Sequence, residues 1–232
     1  MAKTFEALQR AERQFQALRQ QRETVPRIST SPEIISVVSP GGWQKLHHEL
    51  SIRNRNQRLR RIMFTGVNPG VGVTHSAVQF GWTMVTASGC KVLLIDANLQ
   101  TPRLNRIFNI KPSVGFSDLL VPDGTKKFNF IMTGKKDLYT FPSGRFYPDG
   151  VRDFKSRRLD TLFKVAGKKF DYIVLDSAPI TKSSESRSLC DRVDGVLLVI
   201  EGGKTGRQFV AAAKKEIEAA GGKLLGVVLN KR

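Results

Sequence analysis

The chain has 232 residues, of which 40% are hydrophobic. That is too apolar for a disordered protein and long enough for one sizeable α/β domain with short appendages. Against 20 Asp and Glu stand 38 Lys and Arg, a formal charge of +18, so the expected contact is a polyanion: an anionic membrane face, nucleic acid or an acidic protein.

Residues 4–23 read as an amphipathic helix, with Phe5, Leu8, Phe15 and Leu18 on one stripe. A linker follows over 24–42, marked by three prolines and many Ser and Thr residues. A further helix is expected around 43–52, then the basic run RNRNQRLRR at 53–61, with five arginines and no acid. From Arg61 the pattern turns to apolar strands alternating with amphipathic helices. Strand 61–65 enters a Gly-rich loop, and helix 74–87 ends at Gly89. "KVLLIDA" (91–97) is a buried strand ending in a carboxylate. "GFSDLL" starts a short helix, and "LYTFPSG" (138–144) is a strand and turn. Helix 157–167 leads to the strand "FDYIVLDSAP" (170–179). Strand 194–203, helix 205–220 and strand 223–232 complete the series. Near-continuous apolar strands alternating with helices predict a mostly parallel sheet covered on both faces, a three-layer α/β fold.

The two cysteines, Cys90 and Cys190, lack metal-ligand spacing and are expected to be buried free thiols. No apolar run approaches the ~20 residues that span a bilayer, and the opening MAKTFEALQRAERQF has no signal-peptide core. A cytoplasmic protein is expected, with membrane contact only at the surface or through a partner.

In parallel α/β sheets ligands bind beyond the carboxyl ends of the strands. Three strands bring chemistry there: the loop 66–75, Asp96 and Asp176. A Gly-rich loop running into a helix offers backbone N–H groups to phosphate, reinforced by the helix dipole. The series Gly66-x-x-x-Gly70-x-Gly72-Val73-Thr74 follows the phosphate-loop pattern, with Thr74 at the Mg²⁺-ligand position. Two strand-ending aspartates would hold the metal through its waters. A dinucleotide site would also use Gly70, Gly72 and Asp96, but it lacks a third glycine and leaves Thr74 and Asp176 unexplained. The plainest alternative is a structural turn beside two incidental aspartates.

"KVLLIDANLQTPRL" (91–104) resembles the second signature of the bacterial tyrosine autokinases of capsule and exopolysaccharide synthesis. "FDYIVLDSAPI" (170–180) resembles their third, and "GVVLN" (226–230) their closing strand. "GFSDLL", "FPSG" and the opening EALxRAER fall in the family's order, so the resemblance covers nearly the whole chain. It implies a P-loop NTPase fold related to the MinD/ParA-type division and partitioning ATPases. It also implies ATP or ADP with Mg²⁺ as ligands, and a membrane polysaccharide co-polymerase or export protein as partner. By resemblance, Gly70, Gly72, Val73, Thr74 and His75 line the phosphate site and Asn230 lies near the base. Thr74, Asp96 and Asp176 are then metal-side groups, and Asp96, Asn98 and Asp176 occupy the catalytic positions.

The chain departs from that pattern at each working part. The family loop reads close to PGEGKTT; here it is Pro69-Gly70-Val71-Gly72-Val73-Thr74-His75, and valine cannot bridge phosphates as lysine does. Losing one preorganised contact costs about 3–4 kcal/mol in a transition state. The family's paired D-x-D becomes Asp96-Ala97-Asn98, which removes the carboxylate expected to act as base. The usual S-D-A near 184–186 reads Ser184-Glu185-Ser186, and the oligomerisation segment reads GWQKLHH from Gly42, which puts ring assembly in doubt. No tyrosine cluster follows the last strand; Tyr139, Tyr147 and Tyr172 are scattered. The expectation is a degenerate, non-catalytic or weakly nucleotide-binding regulatory partner held at the inner face of the cell membrane. One alternative is an active kinase or ATPase in which another basic residue replaces the lysine. The other is a ParA/MinD-like ATPase binding DNA or an anionic membrane surface, with nucleic acid the weaker candidate because no interleaved aromatics accompany the basic runs.

Overall fold

The computed structural model describes residues 41–230 apart from 58, 112, 122–123, 125–126, 148–152 and 155, with the backbone alone at 53–57. The helix expected over 4–23 and the linker as far as residue 40 lie outside the described residues.

The helix expected at 43–52 is longer. Helix α1 spans Gly42–Gln57 and carries the first part of the basic run on its backbone. Strand β1 (Arg61–Gly66), helix α2 (Val73–Ser88) and strand β2 (Val92–Asp96) follow, with ends within two residues of expectation. Gly89 closes α2 in the left-handed conformation, its N–H bonded back to Val85. A one-turn helix α3 (Leu104–Ile107) and a 3₁₀ turn (Ser117–Leu119) lead to β3 (Ile131–Met132) and β4 (Leu138–Phe141). Then come α4 (Arg157–Lys169), β5 (Tyr172–Asp176), α5 (Ser184–Leu189), β6 (Gly195–Glu201), α6 (Arg207–Ala219) and β7 (Leu224–Asn230).

The seven strands order as β3-β4-β2-β5-β1-β6-β7, and every neighbouring pair is parallel except β3 with β4. Side chains alternate between the two faces. From β1 and β2, Ile62, Phe64, Val92 and Leu94 join one core, which α1 and α2 cover with Leu46, Leu50, Ala77, Phe80 and Met84. Met63, Leu93 and Ile95 join the other, under Leu159, Leu162 and Phe163 of α4 and Ala213 and Ile217 of α6. Both faces are buried, which is why these strands read as unbroken apolar runs. Helix α2 lies so close to the sheet that a Cβ on Gly81 would come within 3.1 Å of Leu94.

Short elements escaped sequence reading, among them α3 and the antiparallel edge strand β3. Each is too short to show a period. Helix α5 contains the Ser184-Glu185-Ser186 departure, and its cap is sound: the Ser183 hydroxyl accepts from Ser186 N–H at 3.1 Å. "GFSDLL" and "FPSG" prove to be partners in space, with Phe116 N–H on Pro142 O at 2.8 Å and Ser117 N–H on Ser143 O at 2.7 Å. The cysteine expectation needs one correction. Both thiols are free and Cys190 is buried, but Cys90 is only half-buried because it sits in the link between Gly89 and β2, ahead of the sheet.

Candidate functional site

Strand β5 is inserted between β1 and β2, while β6 lies on the other side of β1. The loop leaving β1 therefore opens where the strand order reverses, the place at which such sheets form a crevice. A cleft of about 810 Å³ lies there, a volume suited to a small-molecule ligand. Three segments wall it: the loop from Asn68 into α2, the stretch from Asn98 to Ile107, and Ser177–Pro179 after β5.

The loop has the shape that its glycines allow. Gly70 and Gly72 take φ of 82° and 92°, in the left-handed region. The first bond of α2 runs from Ser76 N–H to Gly72 O at 2.9 Å, so the amides of residues 73–75 have no acceptor within the helix. No acidic residue occupies this first turn, and the positive end of the helix dipole meets the cleft uncompensated. From behind, Asn230 at the end of β7 donates its amide to Val71 O at 2.9 Å. A Cβ on Gly72 would stand 2.2 Å from that amide nitrogen. Three side-chain bonds fasten the base of the loop: Ser177 to Phe64 O at 2.9 Å, Thr65 to Ala178 O at 2.8 Å and Thr181 to Val67 O at 2.8 Å.

Gly70, Gly72, Val73, Thr74, His75 and Asn98 all line the cleft. Asp96 and Asp176 do not. They are 0% and 1% exposed, side by side in register at the ends of β2 and β5, beneath the cleft floor. One oxygen of Asp96 accepts from Arg103 N–H and Leu104 N–H, both at 3.0 Å; the other has no partner. Neither oxygen of Asp176 makes a hydrogen bond of ordinary geometry, although the neighbouring Thr74 hydroxyl and the Arg103 charge favour its ionised form. Burial dominates both groups. It lifts Asp96 to about 6 against its backbone donors, and it lifts Asp176 well above the carboxylate range with help from the adjacent Asp96 charge. Asn98 closes a turn by accepting from Thr101 N–H at 3.2 Å and the Thr101 hydroxyl at 3.3 Å. Asn230 stands behind the loop and is not on the cleft wall.

Among the described residues no group of three or more His, Cys, Asp or Glu could enclose a metal ion. The donor set suits a largely hydrated Mg²⁺ better: a threonine hydroxyl at the loop and two carboxylates with spare oxygens behind it.

Two residues on the wall were not singled out from the sequence. Arg103 and Arg106 face the cleft from the α3 turn, and among the described residues they are its only Lys or Arg side chains. The signal was available in "TPRLNR", two arginines three apart directly after the Asp96 strand. What the sequence did not reveal is which way that turn faces.

No protein-family model matches the chain. It is 26% identical over 188 residues to the tyrosine-protein kinase YwqD of Bacillus subtilis, covering 81% of this chain and 79% of that one. To the tyrosine-protein kinase CpsD of Streptococcus pneumoniae it is 27% identical over 182 residues, covering 78% and 80%. The chain is a homologue of the bacterial tyrosine-protein kinases. It also matches the succinoglycan biosynthesis transport protein ExoP of Rhizobium meliloti, 26% identical over 175 residues, which is 74% of this chain but 22% of ExoP. In three dimensions the kinase domain of the Escherichia coli tyrosine kinase ETK superposes with a TM-score of 0.74 at 23% identity, over 82% of this chain and 74% of that one. The septum site-determining protein MinD of Pyrococcus horikoshii, solved with Mg-ADP, gives 0.61 at 22% identity over 74% and 70%. Those two likenesses establish the fold: this is a P-loop NTPase architecture. Among the described residues no helix is long and apolar enough to cross a membrane.

Proposed function

We propose that the chain is a tyrosine-kinase-like P-loop protein of bacterial capsule or exopolysaccharide synthesis that keeps a phosphate cradle but lacks the charges for phosphoryl transfer. It binds Mg²⁺ with ATP or ADP weakly and serves as a regulatory partner of a membrane chain-length or export protein at the inner face of the cell membrane. The observation that carries the reading is Val73. Its side chain stands on the cleft wall at the first residue of α2, where the family's loop has lysine, and among the described residues no lysine lines the cleft.

The loop amides and the α2 dipole hold the phosphates in this reading, with Thr74 on Mg²⁺ and Asp96 and Asp176 reaching the ion through its waters. Bound Mg²⁺ supplies charge neutralisation at the outer phosphates. Asn98 cannot take a proton, and its acceptor oxygen already serves Thr101, so the position that carries the base in the family's pattern holds none for a tyrosine hydroxyl. The partner class is supported by ExoP, in which the matching region belongs to a much longer transport protein.

A second reading, an active kinase, is favoured by the names of YwqD and CpsD and by the two cleft arginines. Calorimetric titration with ATP and ADP, with and without Mg²⁺, alongside phosphate release and anti-phosphotyrosine detection, separates the two. Weak Mg²⁺-dependent binding without turnover is expected. Sub-micromolar ATP binding with steady turnover overturns the proposal in favour of the kinase.

A further inference from the structure

We propose that Arg103, with Arg106 one turn along α3, supplies the cationic phosphate contact that Val73 cannot make, so that the cleft is an arginine-clamped nucleotide site. The proposal rests on the nucleotide-binding reading above and assigns its charge.

Three observations meet here. First, among the described residues the cleft wall carries no Asp or Glu, and its formal positive charge comes from these two guanidinium groups. Second, both side chains are exposed, and among the described residues neither is engaged in an ion pair or a side-chain hydrogen bond. Elsewhere arginines find partners: Arg61 with Asp194, Arg192 with Asp160 and Arg187 with Glu216. Two unpaired arginines three residues apart on one helical turn present their charges to the same side. Third, Arg103 is anchored where it can act. Its backbone N–H bonds Asp96 at 3.0 Å, and its charge already influences Asp176 beneath the floor. A cation at that place faces the same space as the α2 amides.

The chemistry suits the replacement. A lysine in the loop is a point charge on the phosphates, whereas a guanidinium offers a planar fork that binds two phosphate oxygens at once. An arginine arriving from a separate segment can hold a bound polyphosphate. It does not restore the lysine's position inside the loop, so affinity survives where transfer chemistry does not.

The test compares ATP, ADP and adenosine as calorimetric probes on the full chain, at fixed Mg²⁺ and fixed salt. Arg103→Gln and Arg106→Gln are each expected to weaken ATP binding roughly ten-fold, with adenosine unchanged. Arg103→Lys should recover part of the loss. Adding Val73→Lys to the double variant should restore ATP affinity, because a loop lysine makes the clamp redundant. Both arginines are exposed, so these changes leave the fold intact, which circular dichroism verifies. If the wild type binds ATP and the double variant binds it equally well, the clamp is wrong and the nucleotide reading stands. If the wild type binds neither ATP nor ADP, the nucleotide reading and the clamp both fall.

Discussion

Asp96 and Asp176 are register partners on β2 and β5, and three of their four carboxylate oxygens have no hydrogen-bond partner. Two carboxylates buried together without a protein cation between them cannot both stay ionised cheaply. With Val73 in the loop, a positive charge that favours ionised Asp176 comes from Arg103, acting from the cleft side.

That pair makes stability depend on pH. Asp96 is raised to about 6, so the folded chain holds its proton more tightly than the unfolded chain does. The stabilisation is full below the ordinary carboxylate value and is lost as pH rises through about 6. Ionising the buried Asp96 carboxyl at neutral pH opposes folding by on the order of 2–3 kcal/mol. Thermal melts of the wild type should show a lower midpoint at pH 8 than at pH 5 from this source, and Asp176→Asn should flatten the difference. An unchanged pH profile in that variant would mean the two carboxylates do not interact.

The same protons bear on Mg²⁺. A metal needs the ionised carboxylates, so the Mg²⁺-dependent part of ADP affinity should rise as pH passes upward through about 6. Titrations at acid and neutral pH, with and without Mg²⁺, check this. A Mg²⁺ effect that is equal at both would remove Asp96 and Asp176 from the metal side.

Val73→Lys should strengthen nucleotide binding, because the loop amides and Thr74 already line the phosphate position. Alone it should not give tyrosine phosphorylation. Adding Asn98→Asp keeps an acceptor for Thr101 and brings a carboxylate to the cleft wall, which should raise phosphate release. Release is measured for the wild type, both single variants and the pair. A wild type as fast as the pair would show that the missing charge and base are supplied elsewhere.

Gly72→Ala should be disruptive twice over. The residue has φ of 92°, and the new Cβ would stand 2.2 Å from the Asn230 amide. A stability loss of roughly 1–3 kcal/mol is expected, with nucleotide binding lost as well. Asn230→Ala in the same chain should recover only part of this, since it removes the contact and leaves the backbone strained. Full recovery would assign the whole effect to the clash.

The arginine run from Arg53 should give salt-sensitive attraction to anionic vesicles. Replacing Arg53, Arg55 and Arg58 with Gln should weaken co-sedimentation with vesicles that contain anionic lipid. Binding that ignores both the substitution and added salt would leave the run as solvated surface.

The sequence by itself determined the elements that repeat a local rule. The apolar runs at 61–65, 91–97, 170–179, 194–203 and 223–232 read as buried strands, and the glycines before Thr74 as a tight loop opening a helix. The vacancy at Val73 and the exchange at Asn98 were equally legible, because a missing charge shows in the residue type alone. Tertiary structure decided everything that depends on which strands become neighbours. The order β2-β5-β1 sets Asp96 beside Asp176; burial in the packed sheet raises both carboxyls, and the Asp96 charge adds to the rise at Asp176, a property neither strand encodes. The fold alone brings Asn230 from β7 under Gly72, and it alone turns Arg103 and Arg106 into the cleft. The edge strand β3 exists only through its pairing with β4. Local pattern fixes the path of a segment; crossover connections fix what that segment faces, and charge, burial and close approach follow from the facing.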